Sequence, residues 1–379
     1  MTGHPRSNAS YSASPSEERF VPRLIFWETT AACNLKCIHC RASATDFASP
    51  DDLSTEEALA MIEAIREVSA PILVLSGGEP LVRDDIFQIS RHAADRGLKV
   101  ALATNGTMVT EEVALRAKQA GVERASVSLD GPDPQTHDTF RQMPGSFEAA
   151  LRGIAAFRNA GVPFQVNTSV ANHNKDHLPQ ILDLAVRLGA VAFHLFLLVP
   201  VGCGLEISEE EQISPQEYED ILNWFYDASR RVSISLKATC APHYYRILRQ
   251  RAAQEGVRVT RETHGMDAVT RGCLAGTAVC FVSHRGDVYP CGYLPVSAGN
   301  VRVQRFADIW RQAPVFRQMR DYDCLKGKCG VCEFRGVCGG CRARAFGETG
   351  DYLGEEPYCV YEPRSAGAGS PRPQCGTNS

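Results

Sequence analysis

The run Cys33-Asn34-Leu35-Lys36-Cys37-Ile38-His39-Cys40 follows the apolar, strand-like stretch Leu24–Trp27, and how it is read decides how the rest of the chain is read. Three thiolates, Cys33, Cys37 and Cys40, sit at Cys-x3-Cys-x2-Cys spacing in one short loop. Such a loop can hold three corners of a cubane iron–sulfur cluster, which takes four cysteines when fully ligated. The fourth iron is then left without a protein ligand, and an open coordination position marks a catalytic metal site rather than a structural one. The spacing alone leaves open a zinc knuckle or three unrelated buried thiols.

Outward from this loop, short apolar runs alternate with helical patterns from about residue 22 to 240. Strands are predicted at Leu24–Trp27, Ile72–Leu75, Val100–Ala103, Ser126–Leu129, Phe164–Val170 and Phe193–Leu198, several of them rich in Val, Ile or Phe as buried parallel strands are. Between them, Ser54 with Glu57 three residues on reads as a capping box opening a helix that carries Leu59, Ile62 and Ile65. Further helices are expected near Asp85–Asp95, Thr110–Ala120, Ser146–Asn159 and Leu178–Leu188. Repeated strand–helix units imply a parallel sheet with right-handed crossovers. About six such units give the α/β class and fit a partial (β/α)6 barrel, in which functional residues gather at the C-terminal strand ends. A doubly wound sheet fits the same periodicity.

Chemistry-bearing residues fall at those ends. Gly77, Gly78, Glu79 and Pro80 close the strand PILVLS, where glycines let a ligand or another backbone approach closely. Thr104, Asn105 and Gly106 end the next strand, Ser128 and Asp130 the one after, and Asn167 and Ser169 lie on the following one. Polar residues on apolar strands point to a pocket, although local turn or sheet hydrogen bonds account for each singly. Taken together, Cys-x3-Cys-x2-Cys and GGEP resemble the radical S-adenosylmethionine (SAM) enzymes. The resemblance implies a 4Fe-4S cluster on Cys33, Cys37 and Cys40 whose open iron is chelated by SAM, and Gly77–Pro80 at the amino group of SAM. It also implies Asn105 at the pocket, Ser128, Asp130 and Asn167 near the ribose, Arg141 pairing with the SAM carboxylate, and His39 and Leu198 flanking the adenine.

The C-terminal cysteines follow a second pattern. Cys273 precedes Gly286, Cys291 follows it, and then come Cys329-x2-Cys332-x5-Cys338-x2-Cys341 and Cys359. This resembles the SPASM extension, which binds auxiliary clusters, although the family places three residues rather than two between the last pair. The resemblance implies one or two auxiliary 4Fe-4S clusters, one on Cys273, Cys280, Cys291 and Cys341, the other on Cys329, Cys332, Cys338 and Cys359, with Cys280 also reading as a core thiol. A zinc ribbon fits the paired cysteines as well. Cys203 and Cys240, alone in the long middle of the chain, read as structural or incidental.

The stretches LIFWETTAACNLKCIHCRASA, VYPCGYLPVSAGNVR and CEFRGVCGGCRARAFGETGDYLGEEPYC are similar to the haem synthases of the sirohaem-dependent haem pathway. That resemblance implies oxidative decarboxylation of two propionates of iron-coproporphyrin III to vinyls, giving haem b. A 5′-deoxyadenosyl radical would take hydrogen from the propionate β-carbon, and an auxiliary cluster would accept the electron released with CO2. Arg41, Arg342 and Arg344 are candidate partners for substrate carboxylates, and His194 is a candidate ligand of the porphyrin iron. A low-potential donor such as a ferredoxin or flavodoxin is implied. Rival readings are sister tetrapyrrole enzymes (a didecarboxysirohaem deacetylase, or the enzyme acting on the dioxo-haem precursor), a peptide or sulfatase maturase, and an iron–sulfur electron carrier or zinc scaffold. The short polar segment before the first strand counts against a leader-recognition domain of the maturase type. A barrel of this size would be excessive for a carrier.

Composition sets the remaining bounds. The chain has 379 residues, 44% hydrophobic, with net charge −4, which argues against a general nucleic-acid binder. It has no apolar run long enough to span a bilayer and no signal-peptide core, so a cytoplasmic protein is expected. Fifteen cysteines without an export signal read as metal ligands rather than disulfides. The expected organisation is a disordered segment 1–21, a barrel 22–240, a polar and basic bridge 241–270, a metal-stapled domain 271–363 and a disordered tail 364–379 containing Cys375.

Overall fold

A computed structural model describes residues 20–199 and 211–364. The expectations for the terminal segments, Cys203 and Cys375 lie outside these residues. Side-chain alternation builds the central sheet. In β1 (Leu24–Glu28), Ile25 and Trp27 are fully buried while Leu24 and Phe26 face the other way, half-buried. β2 (Ile72–Ser76) buries three successive residues, Leu73–Leu75, whereas the alternation runs through β3 (Lys99–Thr104). β4 (Val122–Ser128) again buries three in a row, Ala125–Val127, and the alternation returns in β5 (Phe164–Val170) from Val166 and in β6 (Ala192–Leu197) from Phe193. These are the six predicted strands: β5 coincides with its predicted range, β1 and β2 run a residue longer, β3 a residue longer at each end, and β4 and β6 begin earlier and end one residue sooner. They pair in parallel in sequence order. Helices Thr55–Arg66, Ile86–Asp95, Glu111–Gln119, Ser146–Ala160 and Leu178–Leu188 are the crossovers, and the Ser54/Glu57 capping box is formed. This is the α/β strand–helix architecture that the sequence predicts, with its apolar core between sheet and helices.

The structure departs from the sequence reading in two places. The sheet does not stop at six strands. β7 (Ser235–Thr239) adds in parallel to β6 beyond the helix Pro215–Ser229. The segment expected to be a polar bridge then forms the helix His243–Gln254, burying Tyr244, Tyr245, Ile247 and Leu248. Its interspersed Arg and Gln residues dilute the composition without removing the apolar stripe. On the opposite edge, β8 (Val279–Val282) pairs in parallel with β1, followed by antiparallel β9 (Asp287–Tyr289) and β10 (Gly299–Asn300). The Cys-rich region therefore shares the sheet. Its helices Phe306–Gln312 and Pro314–Arg320 bury Phe306, Ile309, Trp310 and Phe316 in the same core, so it is not held by metal in place of an apolar core.

Candidate active site

The cysteine loop is anchored by backbone hydrogen bonds at its entrance. The amides of Gly78 and Glu79 donate to the carbonyls of Thr30 (2.9 Å) and Ala32 (2.7 Å), and the Cys33 amide donates to Thr45 (2.9 Å). A Cβ on Gly78 would lie 2.0 Å from the Ala32 carbonyl oxygen, so only glycine permits this approach. Gly77, at φ 140°, is held in a conformation that also favours glycine. Glu79 is fully buried and ties strand ends together: Thr104 Oγ1 and the Asn105 amide donate to its two oxygens, each at 2.8 Å. Burial pushes its carboxyl up to about 7, against those hydrogen bonds. Pro80 begins the short turn that follows.

Donors point at the sulfurs. The Leu35 amide lies 3.4 Å from Cys33 Sγ, Asn105 Nδ2 3.9 Å from Cys33 Sγ, and Arg141 Nη1 3.6 Å from Cys37 Sγ. Burial pushes the Cys33 thiol up to about 11, and Cys37 and Cys40 push the same way. Three adjoining thiols whose charges oppose one another call for a cationic centre, and N–H donors aimed at sulfur are the outer partners that tune such centres. The donor set thus fits an iron–sulfur cluster.

Asp130 and Arg141 face each other. The guanidinium approaches Asp130 Oδ2 at 2.5 Å, His39 Nε2 lies 3.5 Å from the same oxygen, and the Ser169 amide donates to Oδ1 at 2.7 Å. Burial works to raise the Asp130 carboxyl, but Arg141, the two neighbouring histidines and the Ser169 amide together hold it below the usual carboxylate range. His39 is stacked on Phe140 (4.0 Å between centroids), and burial pushes its pKa down to about 3. Residues expected at the ribose, carboxylate and adenine thus form one buried network behind Cys37.

A polar row crosses the sheet. Ser128 is in register with Asn167, Asn167 with His194, and His194 with Lys237, so four successive strands present them on one face. The adjacent residues Val127, Val166 and Phe193 face the core, and Phe193 meets Phe225 of the outer helix at 6.4 Å. The row therefore faces the barrel lumen. Gln165 Nε2 links Asn167 Oδ1 (2.9 Å) and His194 Nδ1 (3.0 Å), and the Lys237 amine reaches Tyr245. Burial pushes His194 down to about 3, so it is neutral. Lys237 and Gln165 escaped the sequence reading. The signal for Gln165 was its parity with Asn167 on β5, and that for Lys237 the parity carried on to β7.

The three candidate arginines differ in how they are engaged. Arg342 is buried, with Nη1 donating to the Tyr352 and Gly354 carbonyls and Nη2 3.4 Å from Cys329 Sγ. Arg344 is buried against Glu356. Arg41 pairs with Glu28 at 2.7 Å over the Phe281 ring and keeps part of its side chain open.

Cys329, Cys332, Cys338 and Cys359 line one cavity together with His243, Arg246, Gly339 and Gly340. Gly339 and Gly340 adopt φ of 75° and 64°, and a Cβ on Gly340 would meet Cys329 Sγ at 3.0 Å. The two-residue spacing to Cys341 is workable because both linkers are left-handed glycines. Amides of Phe334 and Gly340 point at Cys332 Sγ (3.4 Å) and Cys338 Sγ (3.5 Å), so this group also fits a cluster. In the other group, burial pushes the Cys291 thiol up to about 12, with Cys273 and Cys341 adding to it. Cys280 lies apart, inside the core on β8, and Leu198 directly follows β6 with its carbonyl on Arg344 at 3.2 Å.

Comparison with known proteins agrees with this geometry. Residues 27–185 match the radical SAM superfamily, and residues 273–341 match the SPASM iron–sulfur cluster-binding domain. The chain is 54% identical to the AdoMet-dependent heme synthase of Methanosarcina barkeri, over 90% of this chain and 97% of that protein. It is 52% identical to the enzyme of the same name from Nitratidesulfovibrio vulgaris, over 90% and 93%. The crystal structure of Streptococcus suis SuiB bound to S-adenosylmethionine superposes with a TM-score of 0.69 at 14% identity, covering 90% of this chain and 78% of that one, and so shares its fold.

Proposed function

The chain belongs to the radical SAM superfamily and, within it, to the family of the AdoMet-dependent heme synthases, and from that membership we propose that it converts two propionates of iron-coproporphyrin III to vinyl groups, giving haem b. The observation that carries this reading is near full-length likeness to those synthases coinciding with a lumen lined by Asn167, His194 and Lys237. With SAM bound at the cysteine loop, the cluster supplies the one-electron cleavage that yields the hydrogen-abstracting 5′-deoxyadenosyl radical.

The protein's part is placement. Lys237 offers a partly desolvated cation to a substrate carboxylate, and Arg41 a second near β8. Gln165 holds Nδ1 of the neutral His194, which directs an Nε2–H into the lumen. A role as iron ligand needs the Gln165 amide turned to accept instead. Each propionate loses a hydrogen atom, CO2 and one further electron, so an acceptor is required, and the cysteines of the SPASM domain provide a place for it. A ferredoxin or flavodoxin is the electron donor this chemistry asks for. The cytoplasm is the reducing compartment that suits its thiols.

The test is an anaerobic assay with SAM, a low-potential reductant and iron-coproporphyrin III, read by mass spectrometry. Two successive losses of a carboxyl group with 5′-deoxyadenosine formed is the expected result. 5′-Deoxyadenosine with the porphyrin intact would overturn the substrate and turn the search to sirohaem derivatives. Lys237→Met is expected to weaken porphyrin binding by about 10- to 100-fold, the worth of one charge-assisted hydrogen bond. SAM cleavage without porphyrin should be unchanged, and a porphyrin titration followed in the Soret band reads the difference.

A further inference from the structure

We propose that Cys240, at the end of β7, is the fourth ligand of the first auxiliary cluster, joining Cys273, Cys291 and Cys341, and that Cys280 is a core thiol. The inference rests on the SPASM domain and not on which tetrapyrrole is the substrate.

Strand parity excludes Cys280. It is in register with Ile25 of β1, and both are fully buried in the apolar core. The next residue, Phe281, points to the opposite face, where Arg41 lies 4.6 Å above its ring. Gly292, next to Cys291, packs on that same ring, where its Cβ would come within 3.1 Å. The Cys291 turn and the Cys280 side chain therefore lie on opposite faces of one strand, and no rotamer brings them together.

Cys240 is bracketed by the neighbours of the other three. Its carbonyl accepts from Arg344 Nη2 at 3.1 Å, and Arg344 stands three residues beyond Cys341. Two residues on, Pro242 packs so closely on Gly272, the residue before Cys273, that a Cβ there would lie 2.4 Å from Pro242 Cβ. Tyr218 OH donates to the same Cys240 carbonyl at 3.1 Å. Cys240 also adopts φ 56°, a left-handed conformation that a residue with a side chain holds at a cost and that recurs at functional positions. Cys341, Cys291 and Cys273 are all close enough to the Cys240 thiol to interact with it electrostatically, whereas the charged neighbour of Cys280 is Arg320. Ligation by Cys240 would fasten this cluster to β7, three residues from the lumen-facing Lys237.

The experiment compares Cys240→Ala, Cys240→Ser and Cys280→Ala in the full chain, reconstituted anaerobically. Iron and sulfide are counted per chain and the reduced proteins are examined by EPR. Cys240→Ala is expected to lose one to four irons, roughly one corner up to one whole cubane, together with one auxiliary signal. The signal that shifts on adding SAM should persist and report an intact barrel. Cys280→Ala should keep wild-type iron and spectra. Iron loss in Cys280→Ala with retention in Cys240→Ala would overturn the assignment, as would full iron and an unchanged spectrum in Cys240→Ala. If Cys240→Ala does not fold, Cys240→Ser decides: an altered auxiliary spectrum supports ligation, and an unaltered one refutes it.

Discussion

Gly78→Ala is expected to abolish SAM cleavage and to remove the cluster at Cys33, Cys37 and Cys40 while leaving the auxiliary iron in place. The added methyl would lie 2.0 Å from the Ala32 carbonyl oxygen, 2.5 Å from its carbon and 2.9 Å from the Ala31 carbonyl oxygen. All three are backbone atoms of the segment leading into Cys33, so no side-chain rotation relieves the overlap. The chain has to separate there, and doing so breaks the Gly78–Thr30 and Glu79–Ala32 hydrogen bonds that hold the loop entrance to β2. Misplacing a reacting group by about 1 Å can cost about a hundredfold in rate, and here the ligand loop itself moves. Iron should fall by about four atoms per chain, one cubane, and 5′-deoxyadenosine production should become undetectable. Retention of a SAM-responsive EPR signal in this variant would show that the loop entrance can yield.

The barrel and its cysteine loop were legible because both are local patterns. Six strands announced themselves as short apolar runs between helical patterns, and Ser54 and Glu57 marked a helix start within four residues. β7 was missed because its lumen face carries Lys237 and Thr239, which interrupt the apolar run that a buried strand otherwise shows. Helix His243–Gln254 was missed because Arg246, Arg249 and Arg251 mask Tyr244, Ile247 and Leu248. The core of the Cys-rich region around Trp310 and Phe316 was overshadowed by the cysteine spacing. Pairings between distant residues left no trace in the sequence. Arg342 and Arg344 read as free cations because Glu356 and the carbonyls of residues 352 and 354 reach them only in the folded chain. Cys280 was read as a ligand from its spacing, whereas its parity on β8, set by its register with Ile25, depends on a long-range partner that the sequence does not show.

Arg344→Leu is expected to destabilise the protein by about 3–5 kcal/mol, the cost of breaking a buried ion pair by removing one partner. Arg344 is 1% exposed and serves three elements at once. Nη1 donates to Glu356 Oε1 at 2.8 Å, and Nη2 donates to the carbonyls of Leu198 and Cys240 at the ends of β6 and β7. Its guanidinium lies 5.0 Å from the rings of both Tyr218 and Tyr358. Burial alone would raise the Glu356 carboxyl, but His243 and Arg344 together hold it down to about 2. With the pKa depressed in the folded state, this contribution to stability is present above the unfolded carboxyl range and is lost as pH falls through that range towards 2. Without Arg344, the folded pKa rises and the pH-dependent contribution shrinks, so the variant's deficit should be greatest near neutral pH and smaller at pH 4. Thermal unfolding at the two pH values measures this. Arg344→Lys should recover little, since a single ammonium cannot serve a carboxylate and two carbonyls while lying between two rings. The double variant Arg344→Leu with Glu356→Leu separates the two roles. If stranded charge dominates, the double variant regains part of the lost stability. In either case the Leu198 carbonyl loses its Arg344 donor and the Cys240 carbonyl keeps only Tyr218, so the junction between the barrel ends and the SPASM domain should remain loosened. Iron retention in the double variant should therefore stay below wild type even where its melting temperature recovers.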